Sequence, residues 1–152
     1  MLDLAILRVP VFSTICNAAF ALRREVFVVE QKVPEEEEHD ADDLTATHFA
    51  AILDGEVVGT LRLIDKPEHI KIGRVAVSRN WRGKGIAARM IEAAMAHGRA
   101  RGQDRFFLTA QSDKIGMYEK FGFVAFGPEF QDGGMPHRAM RNYERETARL
   151  SD

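Results

Sequence analysis

Ile70-Lys71-Ile72-Gly73-Arg74-Val75-Ala76-Val77 and the segment that follows it, Ser78-Arg79-Asn80-Trp81-Arg82-Gly83-Lys84-Gly85-Ile86-Ala87-Ala88-Arg89-Met90-Ile91, decide the fold. The first eight residues are rich in β-branched side chains and read as a strand. Apolar residues then recur at Ile86, Ala87, Met90, Ile91 and Ala94, the stripe of an amphipathic helix predicted over 84–101. Between strand and helix lies a basic turn with two glycines. Such a turn presents closely spaced backbone N–H groups, and the helix N-terminus adds the positive end of its dipole, so anions bind there. Gly83 and Gly85 let a ligand approach without a Cβ in the way, Ala87 is small, and Arg79, Arg82 and Lys84 add positive charge. Taken alone, the turn reads equally well as an ordinary helix entry. It is not a Walker A loop, because Lys84 is followed by Gly85, and Ala88 breaks the Gly-x-Gly-x-x-Gly pattern.

Working outward, Arg105 to Ala110 reads as another strand, which makes strand 70–77, helix 84–101 and strand 105–110 a βαβ crossover. Upstream, Leu2 to Val9 suits a short first strand stopped by Pro10. Ser13 or Thr14 can cap a helix whose apolar face is Ile15, Ala18, Ala19, Leu22, Val26 and Val29, with Arg23, Arg24 and Glu25 elsewhere. Asp54-Gly55 predicts a tight hairpin between strands near 48–53 and 57–64. Downstream, Ser112 can cap a short helix ending near Phe121, Gly122 can close it, and two further strands follow at 123–130 and about 136–143. The predicted order is β-α-β-β-β-α-β-α-β-β, a mixed sheet covered by helices.

The 152 residues, 45% hydrophobic and 29% charged, fit one soluble globular domain over 1–152. A net charge of −2 offers no global positive field, so nucleic acid is not an expected partner. A single cysteine, Cys16, can neither staple the fold nor build a multi-cysteine metal site, and on the first helix it reads as packing. His48 and His69 lack partners at metal-ligand spacing, so no metal is expected. No apolar run is long enough to span a bilayer and no signal peptide is evident; the expected location is the cytoplasm, with no membrane partner. Between Gln31 and Leu44 the chain turns acidic and loses periodicity, predicting an irregular connection. Its run Glu35-Glu36-Glu37-Glu38 reads either as a solvated loop or as the border of a site that attracts a cation.

Arg82, Gly85 and Ala87 fit Arg/Gln-x-x-Gly-x-Gly/Ala, the acetyl-coenzyme A signature of the GNAT superfamily of N-acetyltransferases, which this sequence resembles. Met117-Tyr118-Glu119-Lys120-Phe121-Gly122-Phe123 is similar to a second segment of that superfamily. The stretches Leu22 to Pro34 and Asp132 to His137 resemble its ElaA-like branch. The resemblance implies an α/β (α+β) fold, a mixed and mostly antiparallel sheet flanked by helices, with a splayed central strand pair forming the acetyl-CoA cleft. It implies that acetyl-CoA is the cosubstrate, held by Val75, Ala76, Val77, Arg82, Gly83, Lys84, Gly85, Ile86 and Ala87. Tyr118 would be the general acid that protonates the departing sulfur, and a backbone N–H near Val75 would polarise the thioester carbonyl. Homodimers are frequent among relatives, so a homodimer is one expected assembly.

Many relatives carry a glutamate one residue before the position of Arg74, where this chain has Gly73. That departure removes the easiest general base and leaves Glu30, His39 and His137 as candidates. The acceptor stays open between a small-molecule amine and a peptide amine. Transfer of acetyl to a primary amine by direct attack in a ternary complex is the expected activity, the alternative being a catalytically weak acyl-CoA-binding or sensing module.

Overall fold

The computed structural model describes residues 2–144; residue 1 and residues 145–152, the ends of the expected 1–152 domain, lie outside the described residues. Seven strands form one sheet: β1 (Ala5–Val9), β2 (Thr47–Leu53), β3 (Glu56–Asp65), β4 (Ile70–Val77), β5 (Phe106–Gln111), β6 (Val124–Asp132) and β7 (Met135–Arg141). Their spatial order is β1-β2-β3-β4-β5-β7-β6. Neighbours run antiparallel except β4 and β5, which are parallel and joined by helix α3 (Ile86–Ala100), the expected crossover. The Asp54-Gly55 turn carries φ of 51° and 77°, the paired positive values that suit a two-residue hairpin.

Helix α1 (Thr14–Arg23) covers one face of the sheet and α3 the other. Ser13 caps α1, its hydroxyl accepting from the Cys16 N–H at 3.1 Å. The buried face of this helix is only partly the one expected. Cys16, Ala19, Leu22, Arg23 and Val26 are buried, whereas Ile15, Ala18 and Val29 are exposed. Two causes act together. From Arg24 to Glu30 the winding widens to a π-helix, seen in the five-residue bond from Gln31 N–H to Val26 O, which shifts later residues around the axis. Arg23 is drawn inward by buried carboxylates. The connection expected to be irregular likewise contains a one-turn helix α2 (Glu35–Glu38) and a 3₁₀ turn (Ala41–Leu44).

A bulge in β4 sets the geometry of the centre. Thr60 pairs with Ala76 but Arg62 pairs with Gly73, so Arg74 and Val75 together oppose one residue of β3. Arg74 takes φ of 51°, costing on the order of 1–2 kcal/mol for a residue with a Cβ. The extra residue reverses the facing of everything after it. Ile70 and Ile72 pack on the α3 side, as do Val75 and Val77, while Ala76 packs with Leu22 and Val26 on the α1 side.

At the closed end of the β4–β5 pair, α3 lies close to the sheet at Gly98. A Cβ there would stand 2.6 Å from Phe106 Cζ and 2.9 Å from Ile70 Cδ1. Alanine gains about 1 kcal/mol of helix propensity over glycine, but overpacking costs about 1–3 kcal/mol. Gly98→Ala is therefore expected to lower the urea midpoint despite the better helix former; an unchanged or raised midpoint would show that this contact gives way.

Candidate active site

β4 and β5 are paired only at Ile70–Phe106 and Lys71–Phe107. Beyond Lys71 they part, and a cleft of about 710 Å³ opens between them, within the range of small-molecule sites. The β4 edge facing β5 is left without a ladder partner among the described residues, and an extended ligand arm carrying amides can pair with it as an added strand. Val75, Ala76 and Val77 line this wall.

The cleft ends at the N-terminus of α3. Gly83 and Gly85 adopt φ of 76° and 79°, left-handed values that suit glycine, and a Cβ at either would meet nothing within 4 Å, so the turn is open toward solvent. Gly85 caps α3 through its carbonyl, which accepts from Arg89 N–H at 3.1 Å, leaving the first-turn amides without intrahelical partners. Arg82, Gly83, Gly85, Ile86 and Ala87 line the cleft; Lys84 is exposed and stands off its lining. These features fit a ligand with an amide-bearing arm and an anionic group.

Arg82 has a task within the protein. Its Nε donates to Val77 O, and its two terminal nitrogens grip the Glu30 carboxylate at 2.9 Å each. The fork geometry ties the end of β4 to the end of the π-helical segment. Glu30 is thereby removed from the base candidates' expected place: it does not line the cleft, and the Arg82 hydrogen bond holds its carboxyl below the usual range. His39 also lies off the lining, its ring edge-on to Phe20 and its Nδ1 3.3 Å from Asp43 Oδ2. His137 is the candidate that reaches the cleft, and its Nδ1 lies 2.8 Å from Met135 O. A proton on Nδ1, donated to that carbonyl, leaves Nε2 as the acceptor.

Tyr118 sits in the short helix α4 (Ile115–Glu119), on the cleft wall and 7% exposed. Its ring packs edge-on against Phe123, with centroids 6.2 Å apart, and Gly122, at φ of 88°, turns the chain between them. Burial pushes the phenol up to about 12, so it stays protonated through the neutral range. Met117 and Met135 line the cleft, whereas Met140 belongs to the core.

The sequence reading missed the opposite wall. Arg23 Nε donates to Glu38 Oε1 at 2.6 Å and Arg23 Nη1 to Asp43 Oδ1 at 2.7 Å. Arg62 Nη1 donates to Asp43 Oδ1 at 2.8 Å and to Asp40 Oδ1 at 2.6 Å. Arg74 donates to the carbonyls of Glu37 and Glu38 and to Asp40 Oδ2, holding the strained bulge against α2. Three arginines thus meet three carboxylates, and Arg23, Glu38, Asp43 and Arg62 are all buried. The expectation of a solvated acidic loop fails at Glu38 and Asp43. The run does border the cleft, through Glu37 and Glu38; Arg23 pairs with one oxygen of the buried Glu38 carboxylate, and the other, Oε2, is buried without a hydrogen-bond partner. His48 Nε2–H donates to the backbone carbonyl of Asp43, 2.8 Å away, and burial favours the neutral form of the ring. Among the described residues no group of three or more His, Cys, Asp or Glu could hold a metal ion, and no helix is long and apolar enough to cross a membrane.

A mixed sheet parted at its centre, with a glycine turn and helix N-terminus at one end of the gap, defines the class of acyl-CoA-dependent acyltransferases. The sequence profile of the Acetyltransferase (GNAT) family matches residues 16–123, and the chain belongs to that family. It is 39% identical over 127 residues to the Bacillus subtilis protein named uncharacterized N-acetyltransferase YjcF, covering 80% of this chain and 88% of that one. It is 32% identical over 129 residues to Escherichia coli protein ElaA, covering 81% and 84%, whose crystal structure superposes with a TM-score of 0.80 over 94% of this chain and 100% of that one. The crystal structure of an acyl-CoA N-acyltransferase from Pseudomonas aeruginosa superposes with a TM-score of 0.81 at 32% identity, over 94% and 100% of the two chains.

The ionic wall carries a pH signature. Burial alone would raise the Asp43 carboxyl, but hydrogen bonds and charge from Arg23 and Arg62 outweigh it and hold the group well below the carboxylate range. A depressed folded value adds stability above the unfolded value of about 3.9 and loses it as pH falls toward the folded one. The urea midpoint is expected to fall steadily below about pH 4. Asp43→Asn, which leaves Arg23 and Arg62 under-compensated, is expected to lose about 3–5 kcal/mol at pH 7 and to show a flatter acid limb; parallel acid limbs in the two proteins would refute this account.

Proposed function

We propose that this chain transfers an acetyl group from acetyl-CoA to a primary amine by direct attack in a ternary complex. The observation that carries the reading is the parting of β4 and β5 into a cleft that ends at the α3 N-terminus and has Tyr118 on its wall. Backbone amides of Val75 and Val77 would hold the ligand's amide arm, and the first-turn amides of α3 would receive its pyrophosphate, with Arg82 and Glu30 keeping the turn in place. When bound, acetyl-CoA supplies an acyl carbon activated by a thiolate leaving group.

The remaining work falls to side chains and amides of the protein. The Val75 N–H, on the bulged strand, would polarise the carbonyl oxygen as charge develops on it. As the C–N bond forms and the C–S bond breaks, the amine loses a proton and the sulfur gains one. His137 Nε2 would accept the first, directly or through water. Tyr118 would assist the second. A phenol at about 12 is a weaker acid than a thiol of about 8.5, so complete transfer to a solvated thiolate would be uphill by several kcal/mol. The phenol therefore acts by donating a hydrogen bond that strengthens as the sulfur becomes negative, and the thiolate takes its proton from solvent as it leaves.

Gly73 favours a second reading. A Cβ there would meet nothing within 4 Å, so the position that carries a glutamate in many relatives is open space in this chain. With no carboxylate at that point, a slow enzyme or an acyl-CoA sensor becomes the competing function. Thiol release from acetyl-CoA across an amine panel separates the two, since binding without turnover would favour the sensor. Tyr118→Phe is expected to lower kcat about tenfold or more with little change in the dissociation constant of acetyl-CoA; an unchanged kcat would take Tyr118 out of the acid role. Ala87→Arg is expected to weaken acetyl-CoA binding in direct titration by crowding the turn.

A further inference from the structure

The face of the sheet under α1 forms the floor of the cleft beyond the β4–β5 opening. Facing alternates along each strand, and Leu61, Leu63, Ile70 and Ile72 pack on the α3 side, which puts Arg62, Ile64, Lys71 and Gly73 on this floor. Lys71 lies between Ile64 of β3 and Phe107 of β5 in register, so neither flanking strand offers it a carboxylate. It lines the cleft, is half-buried, and among the described residues its ammonium has no hydrogen bond and no carboxylate within 4 Å. The neighbouring arginines are in the opposite condition. Arg62 and Arg74 are bound to Asp40, and Arg62 also to Asp43.

We propose that the acceptor amine carries a carboxylate, which the Lys71 ammonium receives on the cleft floor. This rests on the transferase reading above and names the class of its acceptor. The charge balance of the site leads to it. Glu38, Asp40 and Asp43 are matched by Arg23, Arg62 and Arg74, so the ionic wall contributes little net charge. Lys71 is then the unmatched charge of the floor, half-buried and flanked in register by Ile64 and Phe107. Burial followed by the positive charges of Lys66, Arg62 and Arg74 makes an ammonium there costly, and Asp132 offsets this from a distance. A ligand anion supplies the missing partner. Gly73, one pleat along the same floor, leaves room beside it for the ligand's chain.

An amine with a remote carboxylate would place its nitrogen toward the Tyr118 side of the cleft and its anion on Lys71. A partly desolvated, charge-assisted contact of this kind distinguishes ligands by about tenfold or more. The acidic rim does not oppose it, because Glu37 and Asp132 are exposed and screened by solvent.

The test compares ω-amino acids of three to six carbons with n-alkylamines of equal length, by thiol release from acetyl-CoA. Wild-type protein is expected to favour at least one amino acid over its matched alkylamine by about tenfold in kcat/KM. Lys71→Gln is expected to bring that ratio near one, and Lys71→Arg to retain it; unaltered urea midpoints show that both variants are folded. Equal use of the two series by the wild type, or a preference that survives Lys71→Gln, overturns the proposal. Calorimetric titration with the N-acetyl ω-amino acids and the matching N-alkylacetamides gives a readout independent of turnover. If no amine of either series is acetylated, the transferase reading fails. Carboxylate-dependent binding that is lost in Lys71→Gln would still uphold the Lys71 site, and its absence in the wild type would overturn that too.

Discussion

Two adjacent parallel strands that part midway leave backbone N–H and C=O groups without ladder partners, and a sheet pays for such groups unless something else receives them. β4 and β5 are held together at their first residues only, where Gly98 brings α3 against Phe106 and Ile70. From that closed end the gap widens toward the α3 N-terminus. The bulge at Arg74 and Val75 keeps β4 attached to β3 through the divergence and turns Ala76 toward α1. The cleft, the facing of its walls and the placement of the glycine turn all follow from this arrangement.

Two parts of the cleft are stabilised by different means. At the α3 N-terminus, one exposed fork between Arg82 and Glu30 pins a turn whose conformation its glycines already favour. On the wall formed with α1 and α2, a largely buried cluster of three arginines and three carboxylates binds α1, α2, the 3₁₀ turn, β3 and β4 to one another. Buried ion pairs of this kind are not a cheap source of stability, because desolvation offsets most of the attraction. Their effect is geometric: removal of one partner strands the others, so the wall has one well-defined arrangement. A strained Arg74 backbone persists because its guanidinium is anchored to the carbonyls of Glu37 and Glu38.

Much of this was legible in the sequence. The strand–turn–helix of 70–100 was plain because period-two and period-3.6 patterns meet there at two glycines, and β4 matches the predicted 70–77. The Asp54-Gly55 hairpin and the order of elements were readable for the same local reasons. The α1 face was legible at Ala19, Leu22 and Val26 but not at Arg23, which buried carboxylates draw inward, nor at Val29, where a π-helical segment breaks the 3.6-residue period. The acidic wall was not, because its pairs are separated by 15 to 34 residues. A signal did exist: Arg62 stands at an inward position between Leu61 and Leu63 in a strand otherwise free of charge from Val57 to Ile64. A cation there requires a buried anion, and the nearby acidic run was the available source. Composition alone made that run look solvated.

Cys16 is fully buried beneath α1, packed with Val9 and Ala50, and burial pushes its thiol up from the ordinary range. It is the only cysteine in the chain. The native protein therefore presents almost no reactive sulfur to solvent, and a disulfide chromophore added to the folded enzyme would report sulfur released from a thioester with little background from the polypeptide. The same burial makes the thiol a clock for unfolding, since its labelling requires α1 to leave the sheet.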